Sequence, residues 1–161
     1  MFWASKTLIW LPLFAIILYM VIRTFHWKTI TVVLAVAILI AISDQLTNLS
    51  KNEFKRLRPS HEASLAPEVH TVYNYRGGDF GFYSAHASNT FAIAVFLTVI
   101  FRRKYRFLPV FLFSWAAIMS FTRIYLGVHY PGDVLSGILI GSLLGFGLGK
   151  LTMIFLKYKD L

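Results

Sequence analysis

Three short runs of the chain carry residue types that could do chemistry together. In Tyr83-Ser84-Ala85-His86, Ser84 can cap a helix that starts behind it. That leaves unpaired backbone N–H groups at a helix N-terminus, which carries partial positive charge and binds phosphate readily. His86 would stand in the first turn. The second run goes from Thr122-Arg123 to His129-Tyr130-Pro131-Gly132-Asp133. Pro131 suits the first turn of a helix, and Asp133 then lies in that turn against the helix dipole. His129 could donate its Nδ1–H to the Asp133 carboxylate, which fixes the tautomer and leaves Nε2 free as a nucleophile or base. The third run surrounds Lys51 and Arg58. If helical geometry persists to Pro59, then Asp44, Asn48, Lys51, Lys55 and Arg58 share one face. Lys51 and Arg58 would stand about 10 Å apart along the axis, close enough for two long side chains to meet on one anion.

Each run has a plainer reading. A basic helix end can simply snorkel to lipid headgroups, an interfacial histidine can be structural, and a His–Asp pair can be a packing contact. Taken together, however, the runs supply cations, helix N-termini and two histidines, one with a carboxylate partner. That is equipment for phosphoryl transfer without a metal. Asp133 is the only acid near either histidine in sequence, and no His/Asp/Glu cluster has metal-site spacing. No metal and no cofactor are expected. The absence of cysteine removes thiolate ligands and a thiol nucleophile.

The elements that must position these residues follow from composition. Apolar residues make up 57% of the 161, and charged residues only 14%, about half the share of a typical globular protein. Mean hydropathy is +0.64. A soluble domain of this size needs more polar surface than that, so the bilayer is the expected solvent. Five uncharged stretches, Thr7–Ile22, Thr29–Ser43, Ala87–Phe101, Phe107–Thr122 and Val134–Gly149, hold 15 or 16 residues each. They reach spanning length, about 20 residues, through snorkelling flanks or protein-facing polar positions. The second stretch can run on through Ser50, and the fifth past Lys150. The expected fold is all-α: one domain over 1–161, a polytopic transmembrane bundle of about five spans, with one long extracytoplasmic loop. No small-x-small cleavage site follows Ile22, so the first stretch is expected to stay as a helix rather than act as a signal peptide.

The net charge of +9 could suggest nucleic acid, but the cations flank apolar stretches instead of forming one patch, and no nucleic-acid partner is expected. Arg23, Lys28, Arg102, Arg103, Lys104, Arg106, Lys157 and Lys159 all fall on one side of a five-span topology. The positive-inside rule makes that side cytoplasmic. The connection from about Lys51 to Tyr83 then faces outward with all three chemical runs, and a loop of this length is usually functional. In the fifth stretch Gly137, Gly141, Gly145 and Gly149 recur every four residues. Such a stripe predicts a packing seam within the bundle, with a homodimer seam as the alternative; oligomeric state is left open.

With these residues in view, the chain resembles the type-2 phosphatidic acid phosphatases, the lipid phosphate phosphatase superfamily that also includes vanadium haloperoxidases. Lys51 to Arg58-Pro59, Ser84-Ala85-His86, and Thr122-Arg123 through His129 to Asp133 are similar to the family's three signature motifs, in order and with spacing intact. The resemblance spans roughly residues 29–150. It implies that His129 is the nucleophile that forms a phosphohistidine, oriented by Asp133, and that His86 is the general acid for the leaving oxygen. It implies phosphate binding by Lys51, Arg58 and Arg123, with Ser84 and the Ala85 N–H completing the cradle. Three departures stand out. Tyr83-Ser84-Ala85-His86 replaces the more usual Pro-Ser-Gly-His, Thr122 replaces Ser, and the chain starts almost directly with its first span where many members have six helices or an amphipathic N-terminal segment. Lys55 falls outside the motif and is expected to touch lipid headgroups.

The expected activity is hydrolysis of a lipid mono- or diphosphate of the undecaprenyl diphosphate, phosphatidylglycerophosphate or phosphatidic acid class, at the outer face of the cytoplasmic membrane. A lipid A phosphatase of the same family is one alternative, and a catalytically silent lipid-phosphate binding or transport protein is another. Haloperoxidases are soluble, which this composition is not.

Overall fold

A computed structural model describes residues 1–65, 68–69, 71–101 and 104–156. Its α-helices are α1 (Leu11–Phe25), α2 (Thr29–Phe54), α3 (Ala85–Phe101), α4 (Leu108–Tyr125) and α5 (Pro131–Leu156), with short 3-10 turns at Trp3–Ser5, Thr7–Trp10 and His26–Lys28. Each apolar stretch of the sequence has become one helix. Proline marks three of the starts: Pro12, Pro109 and Pro131 sit in the first turns of α1, α4 and α5, where a missing N–H costs nothing and φ is already set. The turn at His26, where φ is +50°, separates α1 from α2 within one helical run from Leu8 to Phe54. That run, Leu108–Tyr125 and Pro131–Leu156 are long and apolar enough to cross a membrane, while Ala85–Phe101 is apolar but shorter.

The short helix is the central one. α3 packs against α5, α4 and α2, and Ala92, Ala94, Phe96 and Ile100 on it are fully buried. A helix that is apolar all round belongs in the middle of a bundle. The outer helices show the opposite pattern, with Leu135, Leu139, Leu143, Ile154 and Phe155 of α5 and Ile30, Leu34 and Ile38 of α2 turned outward. In water that much exposed apolar surface would be a liability, whereas in lipid it is the solvated face of a membrane helix bundle.

The glycine stripe is the seam between α5 and α3. A Cβ added at Gly141 would fall onto the Ser88 carbonyl, and one at Gly145 onto that of Ala92. At Gly137 it would stand 2.6 Å from the Ser84 carbonyl, and at Gly149 3.0 Å from the Val99 side chain. Even alanine would therefore push the two backbones apart. Gly147, on another face, has open space around it.

One end of the bundle gathers the α1–α2 turn, the α3–α4 turn and the end of α5. Lys28 Nζ donates to the Leu156 carbonyl at 2.7 Å, and the Thr24 and Tyr105 hydroxyls lie 3.2 Å apart. Arg23, Lys28, Lys104 and Arg106 belong to this end; Arg102, Arg103, Lys157 and Lys159 lie outside the described residues.

At the opposite end one expectation is corrected. α2 does not carry its helical face to Pro59; it stops at Phe54, and Lys55 takes the left-handed conformation at φ +44° while its N–H caps the Lys51 carbonyl at 3.0 Å. Pro59 disfavours helical geometry at Arg58 and pushes it toward extended backbone. The segment instead pairs with the far end of the long connection: Arg58 N donates to Asp79 O at 3.2 Å, Gly81 N donates to Arg56 O at 2.8 Å, and Leu57 bridges Phe80. Lys55 is thus exposed and lies beyond the helix that carries Lys51. Arg58 reaches the site through this clip and not along a helix.

Candidate active site

Ser84 and Asp133, which start the two helices of the glycine seam, are tied directly. Ser84 N donates to the Asp133 carbonyl at 2.9 Å. Ser84 is fully buried, and its Oγ accepts from Ala87 N at 3.4 Å as an N-cap should. His86 is one residue into α3 and lies within electrostatic reach of Arg123, His129, Lys51 and Arg58. The structure therefore gathers Lys51, Arg58, Ser84, Ala85, His86, Arg123, His129 and Asp133 at one end of the bundle, from helices α2 to α5 and the segments that flank them.

Arg123, in the last turn of α4, is 2% exposed, and both its Nε and Nη2 donate to Thr122 Oγ1 at 3.0 Å. The Thr122 hydroxyl thus fixes the guanidinium plane. Arg58 Nε donates to Phe80 O at 3.2 Å, and Nη1 points toward Val128 O at 3.5 Å. Burial is the largest influence on Arg58 and lowers its pKa, against the pull of Tyr75, Asp133 and Asp79. Among the described residues, none of Lys51, Arg58 and Arg123 has a carboxylate within 4.0 Å. Unpaired, part-buried cations are costly, so their convergence marks a place prepared for an anion. No three His, Cys, Asp or Glu side chains among the described residues come together as a metal site would require.

His129 lies in the short loop before α5 and is 4% exposed. Its Nδ1 stands 3.4 Å from Asp133 Oδ2, a charge contact longer and less aligned than a good hydrogen bond. Nε2 is the ring nitrogen left for chemistry. Burial is the largest influence on His129 and holds its pKa below the ordinary histidine value; Asp133 opposes this, while Arg58 and Lys51 add to the depression.

Asp133 itself is 2% exposed and serves two purposes. Its Oδ2 accepts from Tyr130 N at 3.0 Å, closing the first turn of α5 as a capping box does. Its Oδ1 accepts from Arg56 Nη1 at 2.8 Å. Arg56 is a residue that sequence reasoning missed. It stands in the clip two positions before Arg58, stacks its guanidinium 4.0 Å over the Tyr130 ring, and pairs with a carboxylate 77 positions away. Nothing periodic in the sequence signals such a pair. The long connection also contributes more than expected. A Cβ at Gly81 would meet Arg58 at 3.0 Å and the His129 ring at 3.3 Å, one at Gly77 would press on the Arg58 guanidinium, and Tyr75 stands within electrostatic reach of Arg58 and Arg123. The glycines let the loop backbone lie directly over the cations.

The Arg56–Asp133 pair leads to a pH prediction. A nucleophilic His129 must be neutral, so its lowered pKa should place the acid limb of kcat/KM below the ordinary histidine value of about 6.5. Arg56→Met removes a cation beside Asp133, makes the surroundings of His129 more negative and should move that limb to higher pH. Loss of a charge-assisted hydrogen bond should also lower kcat/KM by roughly 10–100-fold, and Arg56→Lys should restore part of it. Phosphate release measured from pH 4 to 9 (about one unit per step) checks both; an unmoved or lowered limb in Arg56→Met would show that Arg56 does not act through this pair.

Comparison with known proteins places the chain in a family. The sequence model of the PAP2 superfamily matches residues 28–158. The chain is 46% identical over 142 residues to a lipid A 4'-phosphatase of Bacteroides thetaiotaomicron, covering 86% of this chain and 61% of that protein. It is 40% identical over 119 residues to the lipid A 4'-phosphatase of Porphyromonas gingivalis, covering 73% of this chain and 50% of that one. The chain thus spans between half and about three fifths of the length of these relatives. The crystal structure of a transmembrane PAP2-type phosphatidylglycerolphosphate phosphatase from Bacillus subtilis superposes with a TM-score of 0.66 at 21% identity, over 97% of this chain and 73% of that one, which establishes a shared fold. With its motif order, its helical architecture and the match over residues 28–158 in agreement, this chain belongs to the PAP2 superfamily.

Proposed function

We propose that the chain hydrolyses a lipid phosphate through a phosphohistidine on His129, without a metal. The observation that carries this reading is the meeting of three cations that lack carboxylate partners among the described residues with two histidines at one end of an apolar bundle. Lys51, Arg58 and Arg123 would hold the non-bridging oxygens of the phosphoryl group and neutralise the charge that a metal handles elsewhere, with Ser84 and the Ala85 N–H at the α3 N-terminus completing the cradle. His129 Nε2 would form the N–P bond as the P–O bond to the lipid breaks. The electron pair of that bond leaves with the lipid oxygen, which takes a proton from His86. Water, giving its proton to His86, would then attack phosphorus and release phosphate and neutral His129. Asp133 would stabilise the imidazolium character that develops on His129 as it attacks.

The site is proposed to face the exterior or periplasmic side of the cytoplasmic membrane, in a multi-pass topology of about five spans. Its support is the basic end of the bundle, where Arg23, Lys28, Lys104 and Arg106 lie opposite the site. Lipid phosphate is the proposed substrate class and the bilayer the setting; relatives named as lipid A 4'-phosphatases favour a lipid A-type monophosphate within that class.

The functional reading is tested by phosphate release from lipid phosphates in detergent. Wild type should turn over, chelators should leave the rate intact, vanadate should inhibit, and His129→Ala should be inactive. Inactivation by a chelator that a divalent metal reverses would contradict the scheme. Sidedness has its own check, because the chain has no native cysteine. A cysteine at the exposed Glu68 should react with an impermeant thiol reagent in intact spheroplasts, and one at the exposed Lys104 should not. The reverse pattern would invert the topology.

A further inference from the structure

Beneath His86 a cavity of about 320 Å³ opens between α1, α2, α3 and α4. Its apolar wall includes Trp10, Phe14, Ile40 and Ile93, and His86 and Ala85 form its roof. A second, wholly apolar cavity of about 240 Å³ shares Phe14 and Ile93 with it and continues along α1, α2 and α3 past Val21, Val36 and Leu97. The two lie side by side across Phe14 and Ile93, running from His86 toward the apolar part of the bundle.

The upper cavity holds polar groups that the phosphate cradle does not use. Asp44 lies seven residues before Lys51 on α2, about 10 Å further into the bundle. Asn89 lies one turn below His86 on α3, and its Nδ2 donates to Asp44 Oδ1 at 2.8 Å. A carboxylate only accepts, so the pairing fixes the amide orientation and leaves Asn89 Oδ1 as the free acceptor. That oxygen is buried and has no partner. Trp115 is 4% exposed, packs edge-on against Trp10 and Phe14, and also lines the cavity with a buried Nε1–H that has no partner. Among the described residues Asp44 has no cation within 4.0 Å. Asp44 is exposed at the mouth of the cavity and already accepts from Asn89; the open amide acceptor and the open indole donor are the buried groups that are expensive to leave unsatisfied.

We infer that this cavity is the leaving-group subsite, and that it takes a neutral, hydroxyl-bearing lipid alcohol whose hydroxyls meet Asp44, Asn89 and Trp115 while its chain runs on along the apolar cavity. The inference deepens the phosphatase reading and rests on it. A phosphate held by Lys51, Arg58 and Arg123 would direct its ester oxygen to His86 and the rest of the molecule toward Asn89 and Asp44. A hydroxyl both donates and accepts, which suits an acceptor pair beside a single donor. The carboxylate also discriminates by charge. Cleavage of a monoester leaves an alcohol that is neutral once His86 has protonated it. Cleavage of a diphosphate leaves a lipid phosphate anion on the Asp44 side, where like charge opposes it. The substrate class assigned to the site is therefore the phosphate monoester of a sugar or polyol lipid.

The test uses the full chain in detergent with three probes: a glucosamine-based glycolipid carrying one phosphate monoester, dodecyl phosphate, and farnesyl diphosphate. Wild type should give its highest kcat/KM on the glycolipid. Asn89→Leu should lower the glycolipid-to-dodecyl phosphate ratio of kcat/KM by roughly tenfold, the loss expected for hydrogen bonding in a dry site. Trp115→Phe keeps an aromatic ring, removes the indole donor together with part of the ring, and should lower the same ratio. Asp44→Asn should shift the balance toward farnesyl diphosphate. A ratio is insensitive to partial loss of folded protein. Ratios unchanged in both Asn89→Leu and Trp115→Phe, or a wild-type preference for farnesyl diphosphate, would overturn the subsite and leave the phosphatase reading standing. Release from none of the three probes would overturn both.

Discussion

Cations held without carboxylate partners at the end of an apolar bundle are the constraint on which the rest of this structure depends. Arg123 is almost wholly buried, Lys51 and Arg58 are part-buried, and no carboxylate comes within 4.0 Å of any of them among the described residues. Removing charges from water costs several kcal/mol each even after relaxation. The fold does not relieve that cost by pairing. Asp133, the one buried carboxylate among the described residues, serves His129, Arg56 and the α5 N-terminus instead. An electropositive pocket held open in this way is complementary to a multiply charged anion, and under the proposed scheme it would stabilise developing phosphoryl charge without reorganising during the reaction.

Holding such a site open needs rigid supports, and the bundle supplies them from backbone contacts. The glycine seam lets α5 lie against the α3 backbone, which brings the two helix starts together and makes the Ser84–Asp133 hydrogen bond possible. The same seam fixes the height of His86 relative to His129. Arg123 is held by its own neighbour Thr122, and Arg58 by a clip that pairs residues 56–58 with 79–81. Each cation is positioned by a different device, so the site belongs to the assembled bundle and to none of its helices alone. His86 stands where the cation cluster meets the cavity between α1, α2, α3 and α4, the position that a leaving-group acid would need under the proposed scheme.

Much of this was legible in the sequence, for local reasons. Uncharged stretches became helices because apolar runs have no other way to satisfy backbone polar groups in lipid. Proline at helix starts, the four-residue glycine repeat and the three motifs can likewise be read from neighbours a few positions apart. What was hidden depends on distant pairs. Arg56 meets Asp133 across 77 positions, and Asn89 meets Asp44 across 45. The seven-residue spacing of Lys51 and Arg58 suggested one helical face, but Lys55 turns left-handed and Pro59 holds Arg58 outside the helix. Their convergence survives because the Leu57–Phe80 bridge replaces the helix as support. The loop backbone over Arg58 and His129 was equally out of reach, since Gly77 and Gly81 look like ordinary turn residues until their neighbours are known.

The measurement that bears most directly on the central claim is where the phosphoryl group resides during turnover. Rapid quenching of the detergent-solubilised protein with a lipid phosphate, under alkaline conditions that preserve phosphohistidine, followed by peptide mapping, would locate it. The account predicts phosphate on His129 in wild type during turnover. Phosphate on another residue, or turnover by single-turnover kinetics with no phosphoenzyme at any time, would contradict it.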